Sequence, residues 1–313
     1  MFVANANIGK AVNILFASTS EQPSRWIPDL EKALPQDRFV LQPAPNVDVA
    51  LVAQPPANTF ERLPNLKLVQ SLWMGVEQLL ADRALPRSVP VARCLDPGMI
   101  AAMTESVLAH VLDWHRLHFR YRAQQRAKKW QQLPQVLAGE RTIGILGLGE
   151  LGSVVGQTLY VRGFRVLGWS RRPKQVTGIE CLTDLNELLS KSDMVVCLLP
   201  MTPQTRNVLN AQAFSHMPEG AALINVARGG HVVEKDLLAA LDSGWITHAY
   251  MDVFPIEPLA EDNRLWTHPN VTVTPHVAAL TDPRTAVPKI VENIERLRRG
   301  EAPLGLVDRV SGY

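Results

Sequence analysis

Short apolar runs followed by amphipathic or polar intervals recur along almost the whole chain, and this rhythm restricts the fold more than any other feature. Asn13-Ile14-Leu15-Phe16-Ala17, residues 47–52, 66–71 and 89–92 read as strands, with short helices or turns near 24–34 and 58–64 punctuated by Pro28, Pro35 and Pro64. A second series reads as strands at 142–146, 164–169, 194–199, 221–226, 248–253 and 271–274, with helices at 150–162, 184–190 and 234–242. Strand–helix alternation of this kind builds a parallel sheet covered on its faces by helices. The expected class is α/β, with two doubly wound parallel-sheet domains.

Between the two series, residues 97–126 predict one long helix. Met103, Val107, Val111, Trp114 and Leu117 recur at three- and four-residue steps. Its end is basic, with Arg116, Arg120, Arg122, Arg126, Lys128 and Lys129. These form either a solvated helix face or an anion-binding surface. Ile290, Ile294 and Leu297 make a closing helix of 288–299, which leaves the second series and can cross back to the first. The expected organisation is therefore a discontinuous domain, 1–97 plus 289–313, around a nucleotide domain of 98–288. At 313 residues, two such domains can each bury a core.

Bulk composition, 46% hydrophobic and 20% charged with a net charge of +2, predicts neither a nucleic-acid nor a membrane partner. No run approaches the roughly 18 apolar residues of a membrane span. The run after Lys10, Val12 to Ala17, reads as a first strand rather than a signal sequence. Cys94, Cys181 and Cys197 lack C-x-x-C or framework spacing, so reduced thiols in the cytoplasm are expected. The eight histidines show no H-E-x-x-H pairing, and no metal site is expected.

The second series opens on Gly147-Leu148-Gly149-Glu150-Leu151-Gly152, directly after the strand at 142–146. In that context Gly147 permits a tight turn, Gly149 a close backbone approach to a pyrophosphate, and Gly152 close packing of helix on strand. Glu150 and Leu151 start the helix whose N-terminus faces the phosphates. The alternative is a plain structural turn. At the end of the next strand, where NAD sites carry an acidic residue about 20 positions beyond the first glycine, the chain has Ser170-Arg171-Arg172. A carboxylate would repel a 2′-phosphate, whereas Ser and Arg bind one, so NADP (as NADPH) is favoured over NAD. The competing view makes the two arginines solvent-exposed loop charges.

Three further strand ends carry Arg228, Glu257 and His276, each beside Gly or Pro. Singly, each residue is more often a surface charge or a structural group. Together they supply what reduction of a 2-keto acid needs. The Arg228 fork can hold carboxylate and carbonyl oxygens. His276 can deliver a proton near neutrality, and Glu257 can orient the ring and stabilise the imidazolium.

With Leu198-Leu199-Pro200, Asn225-Val226-Ala227-Arg228-Gly229, residues 237–244, Asp252-Val253-Phe254, Glu257-Pro258-Leu259, Thr274-Pro275-His276 and the ending Val307-Asp308-Arg309 with Gly312-Tyr313, the chain resembles the D-2-hydroxyacid dehydrogenase family over nearly its whole length. It is most similar to the glyoxylate/hydroxypyruvate reductase A branch. The resemblance implies a flavodoxin-like substrate domain, a Rossmann dinucleotide domain and a homodimer. It implies Arg228, Glu257 and His276 as the catalytic trio and cofactor contacts at Leu199, Pro200, Ala227 and Asp252, the last to the nicotinamide carboxamide. It also implies a backbone carboxylate-binding loop at Ser71-Leu72-Trp73-Met74-Gly75-Val76. Trp73 and Met74 depart from the family's small residues there; they either narrow the pocket or, for Trp73, join the core.

The function expected is NADPH-dependent reduction of glyoxylate or hydroxypyruvate, with Trp73, Met74, Gly75, Arg228 and His276 at the substrate. A bulkier or phosphorylated 2-hydroxy acid is the alternative substrate, and a dinucleotide-sensing binding protein the alternative class.

Overall fold

In the computed structural model, residues 11–309 are described; Lys10 and the Gly312-Tyr313 ending lie outside them. The chain forms two compact units, one running to residue 99 and resuming at 281, the other spanning 100–280.

In the first unit, β1 (Asn13–Ser18), α1 (Pro23–Ala33), β2 (Arg38–Val40), β3 (Val49–Ala53), β4 (Leu68–Ser71), α2 (Glu77–Ala81) and β5 (Val91–Ala92) form a five-stranded sheet of order β2-β1-β3-β4-β5. All its strand pairs are parallel, and the order is that of flavodoxin-like folds. Side chains alternate across the sheet. Ile14 and Phe16 join Val49 and Leu51 in one core, while Leu15 and Ala17 join Ala50 and Val52 in the other. Both faces are buried, which is why these strands read as continuous apolar runs.

The closing helix, Pro283–Arg298, packs Ile290, Ile294 and Leu297 into the first of these cores with Trp26 and Leu30 of α1. It starts five residues before the expected Pro288. The Asp282 side chain accepts from the Arg284 N–H at 2.9 Å, and Pro283 occupies the first turn, where a missing N–H costs nothing. Pro288 is inside the helix rather than at its head. Likewise α1 runs through Pro28.

The second unit opens with α3 (Pro97–His115), which carries the chain over from the first, and α4 (His118–Arg126). The single helix expected over 97–126 is thus broken. Leu117 takes φ 59°, and its N–H closes a tight turn on the Trp114 carbonyl at 2.9 Å. A left-handed residue without glycine costs about 1–2 kcal/mol; packing of Leu117 and Phe119 against the core offsets it. The other positions of the helical stripe, Met103, Val107, Val111 and Trp114, are buried. Of the basic end, Arg122 makes a paired contact with Asp113 at 2.6 and 2.9 Å, and Arg120 lies over the Phe119 ring.

There follow β6 (Thr142–Leu146), α5 (Glu150–Val161), β7 (Arg165–Trp169), β8 (Glu180–Leu182), α6 (Leu185–Lys191), β9 (Met194–Cys197), α7 (Ala211–His216), β10 (Ala221–Asn225), α8 (Glu234–Asp242), β11 (Ile246–Met251) and β12 (Val271–Val273). The closing helix of the first unit is then α9. The seven strands lie in the order β12-β11-β10-β9-β6-β7-β8, every neighbour parallel. Counted from β6, this is the doubly wound 3-2-1-4-5-6 order with a seventh strand added. The order reverses between β6 and β9, the place where open α/β sheets bind ligands beyond the strand carboxyl ends. Among the described residues, no helix is long and apolar enough to cross a membrane.

Candidate active site

The glycine fingerprint sits at the reversal point, at the carboxyl end of β6. Gly147 has φ +100°, and its N–H donates to the Trp169 carbonyl at 3.1 Å. A Cβ on Gly152 would lie 1.8 Å from the Gly147 carbonyl oxygen, so the third glycine lets α5 pass the turn. A Cβ on Gly149 would meet nothing within 4 Å. Gly149 caps α5 without a side-chain hydrogen bond, ahead of exposed Glu150 and half-buried Leu151. Open space above a glycine and the free N–H groups of a helix's first turn fit a pyrophosphate.

Beyond β7, the Ser170 hydroxyl donates to the Arg172 carbonyl at 2.7 Å, folding the Ser-Arg-Arg run into a turn with both arginines exposed. The Lys174 ammonium reaches back to donate to the Leu148 carbonyl at 2.5 Å. It brings a third cation of this run against the fingerprint loop. Lys174 was not among the residues expected from the sequence; its position four residues after Ser170, in the same basic run, was the available signal. On the other side of β6, the Leu198 N–H donates to the Leu146 carbonyl at 2.9 Å, which sets buried Leu199 and then Pro200 beside the fingerprint.

Arg228, Glu257 and His276 follow β10, β11 and β12, three adjacent strands, and so emerge along one edge of the sheet. Buried Ala227 leads into Arg228, whose guanidinium Nη1 donates to the Ala227 carbonyl at 2.7 Å. The Asn225 side-chain amide donates to the Arg228 carbonyl at 3.0 Å. Gly229 presses on the chain after β11: its Cβ would lie 1.9 Å from the Phe254 carbonyl carbon. Only glycine permits that approach, which joins the arginine loop to the stretch bearing Glu257.

Glu257 is held at one oxygen by the Phe254 N–H, 2.9 Å away. Its other oxygen lies 2.8 Å from His276 Nδ1. A carboxylate accepts, so Nδ1 carries the hydrogen and Nε2 is left on the far edge of the ring. Both side chains are at least one-third exposed, within reach of a solute. The Glu257–Pro258 peptide is cis.

His276 has φ 53° and donates its N–H to the Asp252 carbonyl at 2.8 Å. The Asp252 side chain, 1% exposed, winds the rest of that loop about itself. One oxygen accepts from the Thr274 hydroxyl at 2.6 Å and the Val277 N–H at 2.9 Å, the other from the Ala278 N–H at 3.0 Å. Both oxygens of this carboxylate thus hold the histidine loop.

The loop with Trp73, Met74 and Gly75 lies in the first unit, after β4. All three residues are half-buried. The Trp73 indole N–H donates to one oxygen of Glu21 at 3.1 Å, while Trp26 donates to the other at 3.0 Å. The Trp73 ring also packs against the core of that unit. Glu21 was not singled out in the sequence, since a lone carboxylate after β1 carries no motif. The three cysteines are free; burial pushes the Cys94 and Cys197 thiols up to about 12, so neither is a nucleophile near neutrality.

A glycine cradle at the reversal point of a parallel sheet, with an arginine and a Glu–His pair on neighbouring strand ends, defines a dinucleotide-dependent oxidoreductase. The comparisons with known proteins agree. Residues 108–278 match the family model for the NAD binding domain of D-isomer specific 2-hydroxyacid dehydrogenases. A D-isomer specific 2-hydroxyacid dehydrogenase from Xanthobacter autotrophicus Py2, solved in complex with NADPH and MES, is 42% identical, with 96% of this chain and 99% of that one covered and a TM-score of 0.93. The NADPH-dependent glyoxylate/hydroxypyruvate reductase of Sinorhizobium meliloti, solved with NADP and sulfate, is 35% identical over 96% of this chain and 100% of that one, with a TM-score of 0.92. A probable 2-hydroxyacid dehydrogenase from Rhizobium etli CFN 42, solved with NADP, HEPES and L(+)-tartaric acid, is 31% identical over 97% and 99%, with a TM-score of 0.89. The chain belongs to the D-isomer specific 2-hydroxyacid dehydrogenase family.

Proposed function

We propose that the chain reduces a small 2-keto acid, glyoxylate or hydroxypyruvate, to the 2-hydroxy acid with NADPH. The observation that carries the reading is the contact between His276 Nδ1 and Glu257, 2.8 Å, on strand ends that share a sheet edge with Arg228. The bound nicotinamide supplies the hydride. Arg228 holds the substrate carboxylate and polarises the carbonyl, because its planar fork presents parallel donors. His276 donates the proton on Nε2 to the carbonyl oxygen, and Glu257 keeps the ring in that orientation while charge changes on it. Asp252 keeps the histidine loop in place. In the first unit, the backbone N–H groups near Met74 and Gly75 are the candidate carboxylate donors, and the Trp73 ring, fixed by Glu21, gives that loop a set shape.

Gly147, Gly149 and Gly152 with the first turn of α5, Glu150 and Leu151, hold the pyrophosphate; Leu199, Pro200 and Ala227 flank it. Ser170, Arg171 and Arg172, joined by Lys174, bind the 2′-phosphate and give NADPH its advantage over NADH. The three structural relatives reported with NADPH or NADP support NADP use. In this reading the protein is also cytoplasmic and a homodimer, the latter open to sedimentation equilibrium.

The test is steady-state kinetics with NADPH and NADH across a short series of 2-keto acids. Glyoxylate and hydroxypyruvate should both drive NADPH oxidation, with kcat/KM for NADPH at least about tenfold above that for NADH, the worth of one or two charge-assisted hydrogen bonds. Ser170→Asp should erase or reverse that ratio. Silence with both keto acids would sink the substrate assignment.

A further inference from the structure

His231 lies three residues beyond Arg228, is 0% exposed, and has had no part in the chemistry above. Its two ring nitrogens face two backbone carbonyls on different loops. Nδ1 lies 3.0 Å from the Arg228 carbonyl oxygen and Nε2 lies 3.3 Å from that of Pro200. A carbonyl can only accept, so holding both loops at once requires a hydrogen on each ring nitrogen, as in the imidazolium; a neutral ring donates to one loop only. Each of these carbonyls is shared with one further side chain, Asn225 for Arg228 and Thr205 for Pro200. Backbone bonds already zip the two segments together farther along. The Asn207 N–H donates to Gly230, Leu209 to His231 and Val233 back to Leu209, each at 2.9 Å. The His231 ring adds a side-chain connection between the carbonyls of Arg228 and Pro200.

The two loops have separate duties. Pro200 stands three residues past β9, beside the glycine fingerprint, whereas Arg228 carries the guanidinium. Their spacing sets where a bound dinucleotide lies relative to the arginine. We propose that His231 is a positioning residue that fixes the cofactor loop at Pro200 against the substrate-binding loop at Arg228, one through each ring nitrogen. The inference rests on the proposed roles of those two loops. Neither a core histidine nor a solvent-facing one needs two carbonyl partners from two functional loops.

Two near-isosteric substitutions separate the two contacts. His231→Asn keeps a donor near the Nδ1 position and loses the one toward Pro200; His231→Gln keeps a donor near Nε2 and loses the one toward Arg228. NADPH affinity is measured by fluorescence titration of the full-length protein without any keto acid. Turnover is then followed with whichever 2-keto acid the unmodified enzyme reduces fastest.

His231→Asn should raise the NADPH Kd about tenfold with kcat within about twofold, and His231→Gln should do the reverse, about one hydrogen bond's worth in each case. Equal Kd values in the two variants would overturn the assignment. So would native Kd and kcat in both with only a lowered Tm, or failure of both variants to fold. If the unmodified protein binds NADPH yet reduces no keto acid, the proposed substrate fails, while the Kd contrast still decides His231.

Discussion

His276 Nδ1 and Glu257 Oε2 meet at 2.8 Å although the two residues follow different strands and are 19 positions apart. The contact fixes which imidazole nitrogen is free for a substrate. His276→Ala should therefore lower kcat by about a thousandfold or more, and Glu257→Gln by about ten- to a hundredfold, within the usual range for general acid–base groups and their orienting partners. Both variants should retain the native circular dichroism spectrum and NADPH affinity. Near-native turnover in His276→Ala would remove the histidine from the mechanism.

Asp252 offers a test of how the histidine is presented. Its carboxylate accepts from Thr274, Val277 and Ala278, and an amide in its place must set a donor against a donor. Asp252→Asn should destabilise the fold by about 1–3 kcal/mol and reduce kcat about tenfold, read by urea melts and by kinetics at saturating NADPH. A kcat unchanged despite a lower melting midpoint would show that the loop's hold is irrelevant to turnover.

The second and third duties of the fingerprint separate at Gly149 and Gly152. A methyl group at 149 enters open space, whereas one at 152 meets the Gly147 carbonyl at 1.8 Å. Gly149→Ala should melt like the native protein but bind NADPH at least about tenfold more weakly, since the space it fills is where the pyrophosphate approaches. Gly152→Ala should lose about 1–3 kcal/mol of stability as well, the usual cost of overpacking. Identical melting of the two variants would contradict the packing role of Gly152.

Stability should fall on mild acidification because of His248. The side chain is 2% exposed, and burial lowers its pKa to about 4 against the opposing pull of Asp113. Its Nε2 lies 2.9 Å from the Thr272 hydroxyl. Below the unfolded value of about 6.5, the unfolded chain takes up a proton that the folded chain refuses, so stability is lost as pH falls toward 4. Between pH 7 and 5 the loss is roughly 2 kcal/mol. Denaturant melts at the two pH values should show it, and His248→Gln should reduce the difference. Equal slopes in native protein and variant would place the acid sensitivity elsewhere.

The order of most elements was legible because their physics is local. Buried parallel strands such as Val49–Ala53 and Met194–Cys197 are unbroken apolar runs, and α3 repeats its stripe at helical spacing. Two short edge strands were not legible, although the equally short β5 and β12 were. Arg38–Val40 and Glu180–Leu182 have three residues each and are partly exposed, so no pattern marks them. The six-residue helix Ala211–His216 is too short for its own periodicity to set its bounds. The break at Leu117 came from core packing, which overrode a helical sequence.

Glycine spacing after a strand, the missing acid at Ser170 and the identities of Arg228, Glu257 and His276 could be read from the chain alone, since each depends on residue type near a strand end. Side-chain partners could not. That Asp252 anchors the histidine loop, that Lys174 folds back on Leu148, that Glu21 holds two indoles and that His231 touches two loops all depend on residues 25 to 52 positions apart, or on the direction a turn takes. The class of fold and the groups available for chemistry follow from local residue order, because propensity, periodicity and turn chemistry act over a few residues. Which of those groups meet is settled by the folded chain, because hydrogen bonds act over about 3 Å and strand order alone brings distant loops that close.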